Sequence, residues 1–262
     1  MRRIAGHISG YDGDEFETEH VSHLRVLVTH ARQFYRRWRC ADDLSRLAEH
    51  VGGEKWAKRR FARHYQIHFA PRRFEPLTLL EIGIGGYDDP ARGGRSLRLW
   101  KAYFPNARIF GLDVFEKREH EEARVRTFVG SQEDESVLRR VHREAGRLDI
   151  VIDDGSHINA HVISSFRILF PLLSQNGLYV IEDTQTAYWP EYGGAPAAAG
   201  VATSMNFLKQ LADGLNHREF PDRKRDHTPD YLEQNIVALH FYHNIAFIQK
   251  GLNDEPSNVL DR

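Results

Sequence analysis

The sequence predicts an α/β protein built on a doubly wound, mostly parallel sheet. Three observations carry that expectation. From Thr78 onward, short apolar runs alternate with segments whose apolar residues recur at helical spacing, as in a parallel sheet with helices on both faces. The runs end in glycines or carboxylates, "EIGIGG", "GLDV", "VIDDGSH" and "VIED", and the carboxyl edge of such a sheet is where ligands bind. Seven runs are present, the last two forming an antiparallel edge pair around Tyr242-His243-Asn244-Ile245.

Taken in order, residues 1–75 read as a polar helical extension and 76–262 as the sheet domain. In the extension Leu44, Leu47, Ala48 and Val51 form one apolar stripe, "VGGEKW" breaks it, and a second helix runs through "KWAKRRFARHYQIHF" to Pro71. "LTLLEIG" is then a strand and "SLRLWKAYF" a helix with Leu97, Trp100 and Phe104 on one face. "ARIFGLDV" and "VRTFVGS" are strands, "EDESVLRRVHREAG" a helix and "LDIVIDD" a strand. "HVISSFRILFPLL" follows as a helix with Val162, Phe166, Leu169 and Leu173 in its stripe, and "GLYVIED" as a strand. Beyond Asp183 the alternation stops. The aromatic loop "TQTAYWPEYGGAPAAAG" leads to a helix through Met205, Leu208 and Leu215, and the proline-broken stretch from Phe220 to Asp230 is a candidate cover for a substrate.

A net charge of −1 gives no basic surface of the kind that nucleic acid or an anionic membrane requires. Local clusters such as Arg36-Arg37 and Lys58-Arg59-Arg60 read as solvated helix faces. The single cysteine, Cys40, excludes an intrachain disulfide framework and fits a reducing cytosol. The early arginines lack the apolar run of a signal peptide, and no stretch approaches the roughly 18 apolar residues of a membrane span. A soluble cytoplasmic protein, free to form a homo-oligomer, is the expectation.

The first strand and its turn place Glu81, Gly83, Gly85 and Gly86 together as E-x-G-x-G-G. Glycines there let a ligand approach the backbone closely. The helix starts about ten residues after Gly86, so the helix N-terminus that a dinucleotide pyrophosphate needs is missing. A carboxylate at the strand end instead suits a positively charged ligand such as S-adenosylmethionine. Asp113, ending the second strand, can accept both ribose hydroxyls of a nucleoside, or simply brace the following turn as a helix cap. Ser131, after the third strand, is placed either to contact an adenine ring or to cap the next helix, with Asp134 three residues on.

The densest signal is Asp153-Asp154-Gly155-Ser156-His157 at a strand-to-helix turn. A second acidic pair, Glu182-Asp183, ends the next strand 28 residues beyond Asp154, so neighbouring strand ends bring the two clusters together. Carboxylates converging in this way repel one another unless a cation sits among them. An oxygen donor set favours a hard divalent ion, Mg²⁺, Mn²⁺ or Ca²⁺, over zinc. His157, as neutral imidazole, is the natural proton acceptor near pH 7.

These residues resemble a known family. "EIGIGGYDDP", "GGRSLRLWKAYFP", "GLDVFEK", "IDDGSHINAHV", "GLYVIEDTQTAYWPEYGG" and "LHFYHNIAFIQKGLN" are similar to the metal-dependent sugar O-methyltransferases of the mycinamicin and macrocin type, across residues 42 to 254. The resemblance implies a Rossmann-like class I methyltransferase fold with S-adenosylmethionine as methyl donor. It implies Mg²⁺, or Mn²⁺, on Asp154, Glu182 and Asp183, with His157 as general base and Asp154 supporting it. Glu81, Gly83, Gly85, Asp113, Ser131, Gln132 and Asp153 would line the donor site, with Tyr65 a further candidate. One departure is Gly53-Glu54-Lys55, where the family usually reads G-[ST]-D-K.

In this reading the cation lowers the pKa of a sugar hydroxyl, His157 takes its proton, and in-line transfer follows from positioning. A vicinal diol fills two open metal positions. Tyr188, Trp189 and Tyr192 are platforms for the apolar face of a sugar, or packing for their own loop. The expected acceptor is a small saccharide or glycosylated metabolite, mannose or rhamnose of a polysaccharide or glycolipid ahead of a natural-product deoxysugar. That order rests on the absence here of the extra N-terminal domain of some macrolide enzymes. A nicotinamide-dependent oxidoreductase would want G-x-G-x-x-G, which this turn is not, and a non-catalytic binding protein would not need Asp154, His157, Glu182 and Asp183 together.

Overall fold

The computed structural model describes residues 42–51, 61–197, 200–219 and 228–257. Its strands are β1 (Thr78–Ile82), β2 (Arg108–Asp113), β3 (Val125–Val129), β4 (Leu148–Asp153), β5 (Leu173–Glu182), β6 (Ile236–Tyr242) and β7 (Ile245–Lys250). They form one seven-stranded sheet in the order β3-β2-β1-β4-β5-β7-β6. The first five pair in parallel, whereas β7 runs antiparallel to both β5 and β6. This is the class I methyltransferase arrangement expected from the sequence. From β1 the chain winds outward through β2 and β3, then returns to place β4 on the other side of β1. The edge between β1 and β4 is therefore the topological switch point, where the strand ends open a crevice.

The helices are α1 (Leu44–Val51), α2 (Ala62–Phe69), α3 (Arg95–Tyr103), α4 (Glu135–Ala145), α5 (Asn159–Leu169), α6 (Ser204–Gly214) and α7 (Tyr231–Asn235). Strand alternation divides the buried side chains between two cores. Leu79, Ile109, Ile150, Ile152 and Val180 meet α1, α2 and α3 through Leu44, Tyr65, Phe69 and Trp100. Leu80, Leu112, Val151, Tyr179 and Ile181 meet α4, α5 and α6 through Leu138, Phe166 and Leu208. The described helices of the N-terminal segment thus share a core with the sheet. Gly53-Glu54-Lys55, Cys40, both basic clusters and residues 220–227 lie outside the described residues.

One element differs from expectation. Leu173 does not close the helical stripe of α5; it opens β5, pairing with Leu148 of β4. The helix stops at Leu169 because Pro171 has no N–H to continue it, and β5 then runs ten residues, longer than "GLYVIED". Among the described residues no helix is long and apolar enough to cross a membrane.

The face of α2 against β6 and β7 is rich in histidine. The His68 ring stacks on Phe247 at 4.2 Å and lies 4.7 Å from the ring of His240, with Nε2 3.2 Å from the Tyr242 hydroxyl. Burial, and then the charges of His240 and His64, hold the pKa of His68 down to about 4 from its ordinary 6.5. Between those values the unfolded chain binds a proton that the folded one refuses, so stability should fall as pH drops from 6.5 to 4. Denaturant unfolding at pH 7 and pH 5 checks this: His68→Leu should show a shallower loss than the native protein, and an equal loss would exclude His68 as the cause.

Candidate active site

The switch-point edge is drawn together by backbone contacts. The N–H of Asp154 donates to the carbonyl of Ile82 at 3.0 Å, and that of Gly83 to Leu112 at 2.8 Å. Gly83 has φ +89°, and a Cβ there would stand 2.1 Å from the carbonyl oxygen of Asp154. Any side chain would wedge the end of β1 away from the turn after β4. At Gly85, φ +77°, no atom of the described residues beyond its chain neighbours lies within 4 Å of the Cβ position, so the backbone conformation alone calls for glycine and the space beside it is open.

Asp113 ties the glycine turn to β2. Its carboxylate accepts from the N–H of Ile84 at 2.8 Å and from that of Phe115 at 3.0 Å, so it braces two turns and caps no helix. The N-cap of α4 is Asp134, which accepts from the N–H groups of Ser136 and Val137. That overturns the capping alternative for Ser131, whose hydroxyl makes only a long 3.4 Å contact with the N–H of Glu133. Asp134 wins because it directly precedes the first helical residue, where its side chain reaches both free N–H groups.

Gln132 and Asp153 form a buried support beneath the turn. The Gln132 amide donates to both Asp153 oxygens at 3.1 and 3.2 Å, and its oxygen accepts from the N–H of Ser156 at 2.7 Å. Asp153 also accepts from the Ser165 hydroxyl at 2.6 Å and from the Tyr179 hydroxyl at 3.4 Å. Burial pushes the Asp153 carboxyl up, against the pull of Ser165 and the Gly155 N–H. Asp153 and Asp154 therefore differ in kind: one is enclosed by the layer under the sheet, and the other opens onto the edge.

On that edge Asp154, His157 and Asp183 converge. His157 Nε2 lies 3.4 Å from an Asp183 oxygen and 3.8 Å from an Asp154 oxygen. One donor atom from each residue falls within 4.8 Å of the other two. Ligands about 2.1 Å from a magnesium ion stand about 3–4 Å apart, so the Asp154 and Asp183 oxygens fit a hard cation with small rotations, with the imidazole beside it. His157 and Asp183 both hold left-handed backbone, φ 58° and 52°, conformations uncommon outside glycine. This twist turns Asp183 toward His157 after ten residues of extended β5.

Glu182 is placed differently. It accepts a 2.7 Å hydrogen bond from the hydroxyl of Tyr65, which is fully buried on α2. Burial first, then the charges of Glu182, Asp154 and Glu81, push the Tyr65 hydroxyl well above its ordinary range, so it stays a donor. Glu81 is itself buried at the end of β1. The structure thus gathers Tyr65, Glu81, Glu182 and Asp154 on one side of the edge, and Asp154, His157 and Asp183 around a shared space.

No family model matches the chain. Among curated proteins it is 50% identical over 196 residues to the mycinamicin VI 2''-O-methyltransferase of Micromonospora griseorubida, covering 74% of this chain and 49% of that one. It is 47% identical over 217 residues to the 8-demethyl-8-alpha-L-rhamnosyl tetracenomycin-C 2'-O-methyltransferase of Streptomyces olivaceus, covering 82% and 57%. A solved structure, the MycE methyltransferase of the mycinamycin pathway in complex with Mg and SAH, superposes with a TM-score of 0.76 at 47% identity over 81% of this chain and 55% of that one. The chain is a homologue of these sugar O-methyltransferases. It spans about half the length of the relatives it matches.

One feature of this methyltransferase homologue escaped sequence reasoning. Lys117 is fully buried, and its ammonium donates to the carbonyls of Tyr87 and Asp89 at 2.7 Å each and of Arg92 at 3.2 Å. It staples the long glycine-rich turn from beneath. The signal was a lysine in "GLDVFEK", indistinguishable in sequence from a solvated one. Lys117→Met leaves three carbonyls short of a donor and should cost about 1–3 kcal/mol of stability, with faster deuterium exchange across residues 87–92. Native-like exchange there would show that the turn holds itself.

From the sequence, the aromatic loop is either a sugar platform or packing for itself. Tyr188 and Trp189 are 42% and 44% exposed, which is not how residues packing a loop onto the sheet would lie. The Tyr192 ring is 6.0 Å from Trp189 and 6.4 Å from His157. The loop therefore presents aromatic faces next to the histidine.

Proposed function

We propose that this chain transfers a methyl group from S-adenosylmethionine to a sugar hydroxyl that has a hydroxyl neighbour, with a divalent cation, Mg²⁺ or Mn²⁺, and in the cytoplasm. The observation that carries the proposal is the meeting of Asp154, His157 and Asp183 at the switch-point edge beside an open glycine turn. A similar protein, the MycE methyltransferase solved with Mg, SAH and mycinamycin VI, supports a divalent cation and a methyl donor for this chain. Residues 76–262 are assigned as the catalytic domain, and the helical segment before them as its cap.

When bound, the cation lowers the pKa of an alcohol it touches, as a Lewis acid does. Asp154 and Asp183 supply the negative charge that seats it, and Glu182 joins them by resemblance, with Tyr65 tying that carboxylate to α2. His157 takes the hydroxyl proton at Nε2, which already faces both aspartates. The bond from acceptor oxygen to methyl carbon forms as the carbon–sulfur bond breaks, leaving S-adenosylhomocysteine. Glu81 faces the donor's cationic end, and Gly83 and Gly85 allow its close approach. Asp113 takes the ribose and Ser131 the adenine side, while Gln132 and Asp153 hold the turn beneath. Tyr188 and Trp189 cover the sugar.

The relatives are O-methyltransferases of mycinamicin VI and of an alpha-L-rhamnosyl tetracenomycin C. They weight the acceptor toward a glycosylated metabolite over the polysaccharide or glycolipid that the sequence alone favoured. Mass spectrometry of methyl transfer from S-adenosylmethionine, with Mg²⁺, to a panel of rhamnosides, mannosides, glucosides and deoxysugar glycosides tests the proposal. Mono-methylation of diol-bearing glycosides alone is expected. Calorimetric binding of NAD without binding of S-adenosylhomocysteine would overturn it.

A further inference from the structure

Asn159 is the first residue of α5, two beyond His157, and is 1% exposed. A buried carboxamide is costly unless its donors and acceptor are met. Here they are met by two separate segments. Nδ2 donates to the carbonyls of Thr186 at 3.2 Å and Tyr192 at 2.9 Å, and Oδ1 accepts from the N–H of Ser204, at the start of α6, at 2.6 Å. Two carbonyls on one side and an N–H on the other leave only one orientation of the amide.

The two carbonyls bracket the turn that carries Tyr188 and Trp189. That turn begins at Asp183, whose carbonyl accepts from both the N–H and the hydroxyl of Thr186, at 3.0 and 2.9 Å. It continues through Trp189 N–H to Thr186 and Tyr192 N–H to Trp189. One side chain thus joins the segment of His157, the segment of Asp183 and the exposed aromatic residues. His157 and Asp183 meet at 3.4 Å where the turn begins, whereas Asn159 holds its far end, past Trp189, through the carbonyl of Tyr192. Without this brace, the Thr186 and Tyr192 ends of the turn would lose their hydrogen bonds to α5, and the aromatic faces between them their fixed distance to the histidine.

We propose that Asn159 is the positioning residue of the acceptor subsite: it holds the Tyr188–Tyr192 turn at a set distance from His157, and so governs affinity for the sugar and not for the methyl donor. The inference rests on the sugar methyltransferase reading above. It makes a prediction that space-filling does not. Asn159→Asp keeps the volume but sets a carboxylate oxygen against two carbonyl oxygens, so it should be at least as damaging as Asn159→Ala.

The test compares the native protein with both variants, using the glycoside that the native protein methylates. Deuterium exchange across residues 186–192 should quicken in both. The acceptor KM should rise by about tenfold or more, while kcat changes by less than about threefold and S-adenosylhomocysteine affinity by less than about twofold. An Asp variant that behaves like the native protein would overturn the inference, as would a loss of S-adenosylhomocysteine affinity equal to the loss for the acceptor. Failure of the native protein to methylate any glycoside would sink the functional reading, and the acceptor role with it. Exchange in the loop would still report whether the brace exists, which keeps the two failures apart.

Discussion

Replacing His157 with alanine should lower the rate of methyl transfer by about 10²–10⁴-fold, the usual worth of a positioned general base, while S-adenosylhomocysteine binds as before. The expectation follows from where the imidazole stands. Its Nε2 faces Asp183 and Asp154, on the acceptor side of the edge, whereas the glycine turn and Asp113 make no hydrogen bond to it among the described contacts. Calorimetry with S-adenosylhomocysteine and single-turnover rates with a glycoside that the native protein methylates separate the two effects. A variant that keeps turnover within about threefold of native would remove His157 from proton transfer. A variant that also loses donor affinity would place it on the other side of the site.

Chelation should have an effect of comparable size, with a second signature in stability. A cation that polarises the acceptor hydroxyl is worth several kcal/mol in the transition state, or about 10²–10⁴-fold in rate. EDTA should therefore stop turnover and Mg²⁺ should restore it, and Asp183→Asn should not be rescued at millimolar Mg²⁺. The sign of the stability change is the sharper readout. Asp154 and Asp183 face one another within 4.8 Å, so without a cation their charges repel. In EDTA, Asp183→Asn should be as stable as the native protein or more so. With Mg²⁺ the native melting temperature should rise and that of the variant should not, because the ion binds only the folded native site. Equal responses of the two proteins to Mg²⁺ would show that this carboxylate does not hold the ion.

Much of this architecture was legible because its signals are local. Apolar runs bounded by turns mark the parallel strands, and a residue such as Val151 or Ile181 can be placed in the sheet from its neighbours alone. The pairing of "VIDDGSH" with "VIED" could be read as a single site because consecutive strands of a parallel sheet end at one edge. The spacing of one helix and one strand brought Asp154 and Asp183 into the same crevice. Leu173 was misread because its helical spacing to Leu169 is real, and only the partner strand, through Leu148, decides which element keeps it.

Within the site, the sequence by itself determined which residue types gather at the switch point and what chemistry they allow. Only the tertiary structure decided which side chain faces which neighbour. Asp153 and Asp154 are adjacent and chemically identical, yet one is enclosed by Gln132, Ser165 and Tyr179 while the other reaches toward His157. Glu182 meets Tyr65 from a helix 117 positions earlier in the chain. Asp183 turns toward the histidine through a left-handed twist that aspartate tolerates better than most residues, but that its local sequence does not place there. Lys117 and Asn159 read as ordinary polar residues until the carbonyls that enclose them are in place. The physical reason is common to all five: composition and periodicity report what a residue prefers on average, whereas a buried polar group is positioned by the one set of distant partners that can satisfy it.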